Sequence, residues 1–290
     1  MDQGKLKTIL NEYLQETIAK ILEVSLQGGG KKILGPVIGR PDDVEIEIDR
    51  VGEEVLRDLL KKHGQSATVF SEPENGDIVV GERPDFYGAL DPFDNSILFL
   101  RGFQHSWYTA LSFFDAKGVF LCGAIGDILN QRAYIHDGET AFFLDLQNDK
   151  KIPIRPSSRK TLVEPIVLAS YIMSSQYSPK FLDVFGGLVR TMHKRALFYP
   201  FGGAHIYGHL AAGQVDAYIM FNEPRSEIDP GFAIAKATGC VIGEVDKEGK
   251  WKDYEFVPGK QHEKVPFFVA AANPELRDEI ILYYKKHLLS

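Results

Sequence analysis

The chain has 290 residues, 44% of them hydrophobic and 25% charged, a composition typical of a globular protein with a sizeable core. The formal net charge of −7, without a long Lys/Arg run, argues against a general nucleic-acid surface. No stretch has the apolar length of a signal-peptide core or a membrane span, so we expect a cytoplasmic protein without a membrane partner. Cys122 and Cys240 lie in apolar, strand-like runs and are predicted to be buried, reduced thiols.

The first half of the chain predicts two helices followed by a sheet. Apolar residues recur at helical spacing from Leu6 to Leu22, and this helix ends before Gly28. A second helix is predicted from Asp49 to Lys62. Short β-type runs follow, separated by turn residues, over 67–71, 85–90, 107–114, 119–125, 132–135 and 141–146. Three of the links have hairpin length, which predicts a largely antiparallel sheet.

The second half alternates strand-like and helix-like segments, which indicates an α/β unit. The predicted strands cover 163–170, 195–200, 215–221, 240–245 and 267–272, and the predicted helices cover 179–193, 204–213, 229–239 and 274–288. We therefore expect two subdomains, residues 1–155 with the antiparallel sheet and residues 156–290 with the α/β pattern.

Four carboxylates stand at the ends of predicted elements: Glu72, Asp91, Asp94 and Asp229. Each has an ordinary alternative role, because Asp is common in turns and at helix N-termini. Side chains at element ends can also converge, and hard cations such as Mg²⁺ bind through a few carboxylates together with substrate phosphate. The pattern thus favours a phosphate-handling Mg²⁺ site, with simple turns as the alternative.

The residues after Asp94 fit the same chemistry. If a helix begins there, the backbone N–H groups of Asn95 and Ser96 face an anion. Pro92 restricts the preceding backbone, so that the carbonyl oxygen of Phe93 is also placed to face a metal.

Five separated segments resemble motifs of the inositol monophosphatase family, which includes archaeal and bacterial fructose-1,6-bisphosphatases, 3′-phosphoadenosine-5′-phosphate phosphatases and NADP(H) phosphatases. GALDPFDNSILFLRG resembles the D-P-hydrophobic-D-G-[T/S] motif, and FSEPENG resembles the upstream acidic motif. The other three segments are DDVEIEIDRVGEEVLRDLL, GGAHIYGHLAAGQVDAYI and EIDPGFAIAKATGCVI. Order and rough spacing agree from about residue 5 to residue 285. The resemblance implies a layered αβαβα sandwich, of class α/β (α+β), and a homodimer.

The resemblance also implies roles for individual residues. It assigns Mg²⁺ binding to the side chains of Glu72, Asp91, Asp94 and Asp229 and to the carbonyl of Phe93. It implies that Ser96, supported by Asp43, activates the attacking water, and that Glu72 takes part in catalysis. The remaining implied contacts are with substrate, through Asn95, Ser96, Gly202, Gly203, Ala204 and Asp229.

The sequence departs from the family pattern at several positions. Asn95 replaces a Gly, and Asn tolerates left-handed backbone angles better than most residues. Pro73 replaces a second Glu, which leaves open whether two or three Mg²⁺ ions bind. Ile228 stands where Trp is frequent.

Taken together, the residues and the resemblance predict an Mg²⁺-dependent phosphatase acting on a small phosphorylated metabolite, inositol monophosphate and/or fructose 1,6-bisphosphate. The alternatives are a nucleotide phosphatase, for 3′-phosphoadenosine 5′-phosphate or NADP, and a non-catalytic regulatory dimer that binds metal and phosphometabolite. Arg225 is a candidate for substrate hydroxyls or a second phosphate, with a surface position as the alternative. His205 and His209 have the spacing of a metal pair, but we interpret them as helix-face residues because H-E-x-x-H is absent.

Overall fold

The computed structural model describes residues 3–37, 40–72, 76–192 and 197–288, apart from the side chains of 40–43 and 288. The side chain of Asp43 and the whole of Pro73 lie outside this described part, so their predicted roles stay predictions.

The described residues form eight helices. They are α1 (Gln3–Leu26), α2 (Glu47–Lys62), α3 (Ser96–Leu100), α4 (Ser178–Met192), α5 (Ile206–Ala211), α6 (Arg225–Ile228), α7 (Phe232–Ala237) and α8 (Pro274–Leu288). Their ends follow from local chemistry. At the start of α8, for example, Asn273 Oδ1 accepts a hydrogen bond of 3.0 Å from the N–H of Leu276, and Pro274 occupies the first helical position, where no N–H is needed.

Within the described part, the strands of the first half form a two-stranded and an eight-stranded sheet. The small sheet pairs β1 (Ile33–Val37) with β2 (Arg40–Ile46). The large sheet contains β3 (Ala67–Ser71), β4 (Ile78–Val80), β5 (Phe86–Asp94), β6 (Tyr108–Asp115), β7 (Phe120–Asp127), β8 (Arg132–His136), β9 (Ala141–Asp145) and β10 (Lys150–Pro153). Its order is β10-β9-β8-β7-β6-β5-β3-β4, and of these pairs β3–β5 is parallel and the others are antiparallel.

The described strands of the second half form a six-stranded mixed sheet. It contains β11 (Val167–Ala169), β12 (Leu197–Tyr199), β13 (Ala217–Pro224), β14 (Val241–Val245), β15 (Trp251–Asp253) and β16 (Lys264–Ala271). The order is β12-β11-β13-β16-β14-β15, with β11 parallel to both of its neighbours.

Hydrophobic packing stacks these elements into five layers. Helices α1 and α2 bury their apolar faces on one side of the eight-stranded sheet. Helices α5 and α7 lie between the two large sheets and share one core with both. Helices α4 and α8 cover the outer face of the six-stranded sheet. Removal of these apolar faces from water is the main force that holds the layers together, and the predicted αβαβα sandwich is confirmed.

The sequence predicted the long apolar elements and missed several short or polar ones. The largely antiparallel first sheet is confirmed, and α8 begins and ends at the predicted residues. Strands β1, β2, β4, β10 and β15 were not predicted; β2, for instance, reads RPDDVEI and has no apolar run to mark it. Cys122 and Cys240 are buried free thiols, as predicted, and burial raises the pKa of each to about 12.

A search of the described residues finds no helix that is both long enough and apolar enough to cross a membrane.

Candidate active site

A β-bulge at the end of β5 brings Asp91 and Asp94 to one place. Residues three apart in a regular strand point to opposite faces of the sheet. Here Asp91 pairs with Ala110 and Asp94 with Tyr108, so Pro92 and Phe93 together oppose one residue of β6. This extra residue resets the alternation, and Pro is tolerated in a bulge because the ladder hydrogen bonds are already interrupted.

Neighbouring side chains hold the bulge. Thr109, the residue opposite it, donates a hydrogen bond of 3.2 Å to the carbonyl oxygen of Asp91. The hydroxyl of Tyr13 on α1 lies 2.6 Å from the same Thr109 Oγ1. Helix α2 passes close by at Gly52, where an added Cβ would lie 3.0 Å from Pro92 Cβ and 3.0 Å from Tyr13 Oη.

Three buried carboxylates meet at this bulge. Asp91, Asp94 and Glu227 each offer an oxygen, and these oxygens lie within 4.8 Å of one another. Glu227 comes from the short helix α6, at the end of β13, and it was not among the residues that the sequence analysis selected. Glu72 is half-buried at the end of β3 and lines the same cavity.

Asp229 lies outside this group of three carboxylates. It is buried, and one of its oxygens accepts a hydrogen bond of 2.7 Å from the hydroxyl of Tyr254. Its other oxygen lies 3.9 Å from Arg225 Nε. Burial raises the pKa of Asp229 to about 7, against the opposing effects of Arg225 and Tyr254. The structure therefore brings Glu227, two residues earlier, to the position at which the sequence analysis expected Asp229.

The side chain of Arg225 is directed at the same buried group rather than at the cavity. Its guanidinium stacks over the ring of Tyr254 at 4.5 Å and donates a hydrogen bond to the carbonyl of Glu255. Only 14% of the side chain is exposed. The position thus differs from both sequence-based alternatives, a substrate contact and a solvated surface residue.

Ser96 stands beside the carboxylates and contacts an acidic residue of α2. Its Oγ lies 3.1 Å from Asp49 Oδ1 and 3.0 Å from the carbonyl oxygen of Phe93. The other oxygen of Asp49, Oδ2, accepts a hydrogen bond of 2.7 Å from the N–H of Ile46 at the start of α2. Asp49 is therefore fixed by its own helix terminus, and it holds the relation to Ser96 that the sequence analysis expected of Asp43.

Asn95 adopts the left-handed conformation that its substitution for Gly led us to consider, with φ 72° and ψ 41°. Its side-chain amide donates hydrogen bonds to Asp94 Oδ1 at 3.0 Å and to the carbonyl of Ser106 at 3.1 Å. These bonds stabilise a backbone angle that is uncommon for residues other than Gly.

The predicted substrate-bordering glycines approach the site very closely. Gly203 has φ +107°, and a Cβ there would lie 2.3 Å from Asp94 Oδ1. A Cβ on Gly202 would lie 2.3 Å from the hydroxyl oxygen of Tyr218. Both glycines line the cavity, whereas Ala204 is fully buried in the core between the sheets.

Three residues that the sequence analysis did not select also line the cavity. Tyr171, Tyr177 and Glu223 come from the second half of the chain, and Glu223, on β13, accepts a hydrogen bond of 2.7 Å from the hydroxyl of Tyr218. The two tyrosine rings are 5.9 Å apart and tilted by 53°. Their segment carries no motif, so local sequence gave no signal for them.

His205 is the remaining unexpected residue at the site. It is fully buried, and its Nδ1 lies 2.6 Å from Asp94 Oδ2. Burial raises the pKa of Asp94, and His205 opposes that rise. The interpretation of His205 as a helix-face residue was therefore wrong, because the residue precedes α5 and points at the carboxylates.

Comparisons with known proteins identify the family of this chain. The sequence matches the inositol monophosphatase family over residues 6–282. A search of curated proteins finds no significant match.

Solved structures of similar fold include the extragenic suppressor protein suhB from Bartonella henselae, with a TM-score of 0.72 and 19% identity over 96% of this chain and 99% of that one. Inositol monophosphatase-II from Staphylococcus aureus gives a TM-score of 0.70 at 15% identity, covering 97% of this chain and 93% of that one. The IMPase of Thermotoga maritima gives a TM-score of 0.65 at 20% identity, covering 93% of this chain and 94% of that one.

The match extends over nearly the whole chain, so the protein belongs to the inositol monophosphatase family. The family consists of Mg²⁺-dependent phosphatases, which makes this chain a phosphoric monoester hydrolase.

Proposed function

We propose that this protein hydrolyses a small phosphorylated metabolite with Mg²⁺ and an activated water, with inositol monophosphate and fructose 1,6-bisphosphate as the first candidates. One observation carries the proposal: a group of three buried carboxylates lies next to a serine hydroxyl that contacts a fixed aspartate. The three carboxylates are suited to bind a metal ion, and the serine hydroxyl with its aspartate is suited to bind and deprotonate a water.

The carboxylate group has the chemistry of an Mg²⁺ site. Asp91, Asp94 and Glu227 supply only oxygen, which hard cations prefer, and all three are buried. Like charges at such distances repel strongly in a low-dielectric environment, and a divalent cation among them offsets that repulsion. Glu72 and the carbonyl of Phe93 are proposed as further ligands. Asp229 is proposed to support the site rather than to ligate it, because Arg225 and Tyr254 already engage its carboxylate.

When bound, Mg²⁺ lowers the pKa of water and stabilises charge on the transferred phosphoryl group. The residues of the chain handle the attacking water and its proton. Ser96 Oγ accepts a hydrogen bond from the water while its own hydrogen is donated to Asp49 Oδ1, so a proton leaving the water has a path to a carboxylate. The backbone amides of Asn95 and Ser96 hold the phosphate. A bond forms between the water oxygen and phosphorus while the ester P–O bond breaks. The leaving oxygen takes up a proton from solvent and the carboxylate later returns its proton to solvent, so the products are inorganic phosphate and an alcohol.

The substrate rim favours a compact molecule with hydroxyl groups. Gly202 packs against Tyr218 and Gly203 packs against Asp94 so closely that a Cβ at either position would lie 2.3 Å from an oxygen atom, so bare backbone forms this border of the cavity. Glu223, at the edge of the same cavity, is a hydrogen-bond acceptor for a sugar or polyol hydroxyl. This combination supports inositol monophosphate or a sugar phosphate as substrate.

A nucleotide substrate is the second candidate. Tyr171 and Tyr177 place two aromatic rings at the cavity, and aromatic rings stack on bases. The structures of SaIMPase-II, at 15% and 16% identity, include one with bound inositol monophosphate and one with bound 2′-AMP. Both substrate classes therefore belong in the same test.

A panel of phosphate esters separates the candidates. Phosphate release with Mg²⁺ would be measured on inositol monophosphate, fructose 1,6-bisphosphate, 3′-phosphoadenosine 5′-phosphate and NADP, with kcat/KM for each. We expect the highest value for inositol monophosphate or the bisphosphate. A clear preference for the nucleotides would move the assignment to the second candidate. No release from any ester, by a protein shown to bind Mg²⁺, would favour the non-catalytic alternative.

We further propose a cytoplasmic homodimer, as the family resemblance implies. Light scattering of the purified protein at several concentrations tests the dimer, and a monomer at every concentration would contradict it.

A further inference from the structure

We propose that His205 is a positioning residue that holds Asp94 in the orientation required for Mg²⁺ binding, and that this contact contributes directly to metal affinity. The inference rests on the proposed function, because it concerns the same metal site. His205 is neither one of the proposed metal ligands nor part of the Ser96–Asp49 pair, so the proposed function gives it no role.

The first observation is that His205 binds one oxygen of Asp94 twice. Its backbone N–H donates to Asp94 Oδ2 at 3.0 Å, and its ring Nδ1 lies 2.6 Å from the same oxygen. Since a carboxylate accepts and does not donate when ionised, Nδ1 carries the hydrogen in this contact. Two donors from different directions on one oxygen fix both the position and the rotation of the carboxylate.

The second observation is that the other side of Asp94 is also enclosed. Asn95 donates to Asp94 Oδ1 at 3.0 Å, and the backbone at Gly203 passes so close that a Cβ would lie 2.3 Å from this oxygen. The chain from Gly203 to His205 therefore wraps the carboxylate. Asp94 has little freedom to turn away from Asp91 and Glu227.

The third observation is that the imidazole ring is itself held in place. It stacks on Tyr108, with centroids 4.7 Å apart and an angle of 12° between the planes. Tyr108 is the residue that pairs with Asp94 in the sheet, so the ring and the carboxylate are positioned by the same strand pair. The hydroxyl of Tyr199 lies 3.4 Å from Nε2, on the far side of the ring.

These contacts have a definite consequence for metal binding. A carboxylate that is already oriented loses less conformational freedom when it ligates a cation. Hydrogen-bond partners of metal ligands typically contribute 10–100-fold to metal affinity. We therefore expect loss of the His205 ring donor to weaken Mg²⁺ binding by about 10–100-fold.

Isothermal titration of Mg²⁺ into substrate-free protein tests the proposal. His205→Phe keeps an aromatic ring on Tyr108 and removes the donor, and we expect the 10–100-fold loss of affinity there. His205→Asn places an amide N–H near the Nδ1 position and should stay within about threefold of the wild type. His209→Phe is the matched control, because His209 lies on the neighbouring helix α5 and contacts the edge of the Tyr108 ring, 6.0 Å away, and should leave Mg²⁺ affinity unchanged.

Unaltered or tighter Mg²⁺ binding by His205→Phe would overturn the proposal, and so would an equal loss in the Phe and Asn variants, which would indicate packing. If the Phe variant fails to fold, His205→Gln, whose amide reaches the Nε2 position instead, should show the same loss. A wild type that binds no Mg²⁺ would refute both this inference and the metal site. A wild type whose Mg²⁺ affinity depends on His205 as predicted, but which releases no phosphate, would refute the proposed function alone.

Discussion

We propose two separable roles for Ser96, one for its hydroxyl and one for its backbone amide. The hydroxyl contacts Asp49, and the amide is proposed to hold phosphate. Ser96→Ala should therefore lower kcat by roughly 10²–10⁴, the usual contribution of general acid–base catalysis, with little change in KM. Steady-state kinetics of phosphate release would measure both constants. Ser96→Thr keeps a hydroxyl and should keep most of the activity.

Asp49→Asn should lower kcat by a similar factor, because the amide cannot take up the proton. Asp43→Asn is the comparison variant, since the sequence analysis assigned this role to Asp43. A normal turnover number in Asp49→Asn together with a large loss in Asp43→Asn would return the role to Asp43. A reduced melting temperature with near-normal turnover in Ser96→Ala would make Ser96 a structural residue.

Glu227 and Asp229 differ in what already surrounds them, and this difference predicts which one binds metal. Mg²⁺ that binds only the folded state raises the melting temperature. Glu227→Gln should remove most of this Mg²⁺-induced rise, while Asp229→Asn should retain most of it, whatever each substitution does to the metal-free baseline. Melting curves with Mg²⁺ and with EDTA measure the rise. The reverse order would restore Asp229 as the ligand.

At the scale of elements, the bulge in β5 depends on hydrogen bonds from its neighbours. Thr109→Val preserves shape but removes the hydroxyl that donates to the Asp91 carbonyl and contacts Tyr13. Loss of a buried partner costs about 1–3 kcal/mol, so we expect the free energy of unfolding to fall by that amount. Thr109→Ser keeps the hydroxyl and should lose less. Equal losses in Val and Ser, by urea denaturation, would assign the cost to the missing methyl group instead.

Helix α2 carries a second buried acid whose titration should be visible in the stability of the metal-free protein. Burial raises the pKa of Glu53 from 4.5 to about 7, although Ser71 donates a hydrogen bond to it. Between these values the folded state binds more protons than the unfolded state, so stability is lost as pH rises from about 4.5 through 7. Glu53→Gln cannot ionise and lacks this loss. The free energy of unfolding of Glu53→Gln should therefore rise, relative to that of the wild type, by roughly 3 kcal/mol between pH 4.5 and pH 7.5.

Urea denaturation in EDTA at the two pH values gives the comparison, since other groups titrate alike in both proteins. Glu54→Gln, an exposed neighbour on the same helix, is the control and should follow the wild type. If the difference in the free energy of unfolding between wild type and Glu53→Gln stays constant across this pH range, Glu53 does not titrate there.

For the whole molecule, local patterns in the sequence predicted the long helices and the main acidic motif, whereas the layered sandwich was implied by the family resemblance. Apolar periodicity marks α1, α2 and α8, and the spacing of Asp91, Pro92 and Asp94 is visible in one short stretch. The partners of that stretch come from elsewhere in the chain. The contact between Asp49 and Ser96 depends on the geometry at the start of α2, which local spacing does not encode in a segment rich in acids.

Local sequence patterns also failed to identify site residues of the second half, because their contacts depend on the tertiary packing. Glu227 and Asp229 are two positions apart, and only the course of α6 after β13 shows that the first reaches the carboxylates. His205 had the spacing of a helix-face residue, and its contact with Asp94 spans 111 positions of sequence. Such contacts follow from the packing of α5 between two sheets, which no local pattern specifies.

The central claim is that the buried carboxylates bind the Mg²⁺ that this phosphatase uses. The most direct test is the initial rate of phosphate release from inositol monophosphate as a function of Mg²⁺ concentration, for wild type and Asp91→Asn. Should inositol monophosphate prove a poor substrate, the best ester of the panel takes its place. We predict a saturable dependence on Mg²⁺ in the wild type, no release in EDTA, and a rate near background in Asp91→Asn at every Mg²⁺ concentration. Phosphate release by the wild type that is independent of Mg²⁺, or equal rates in the two proteins, would contradict the account.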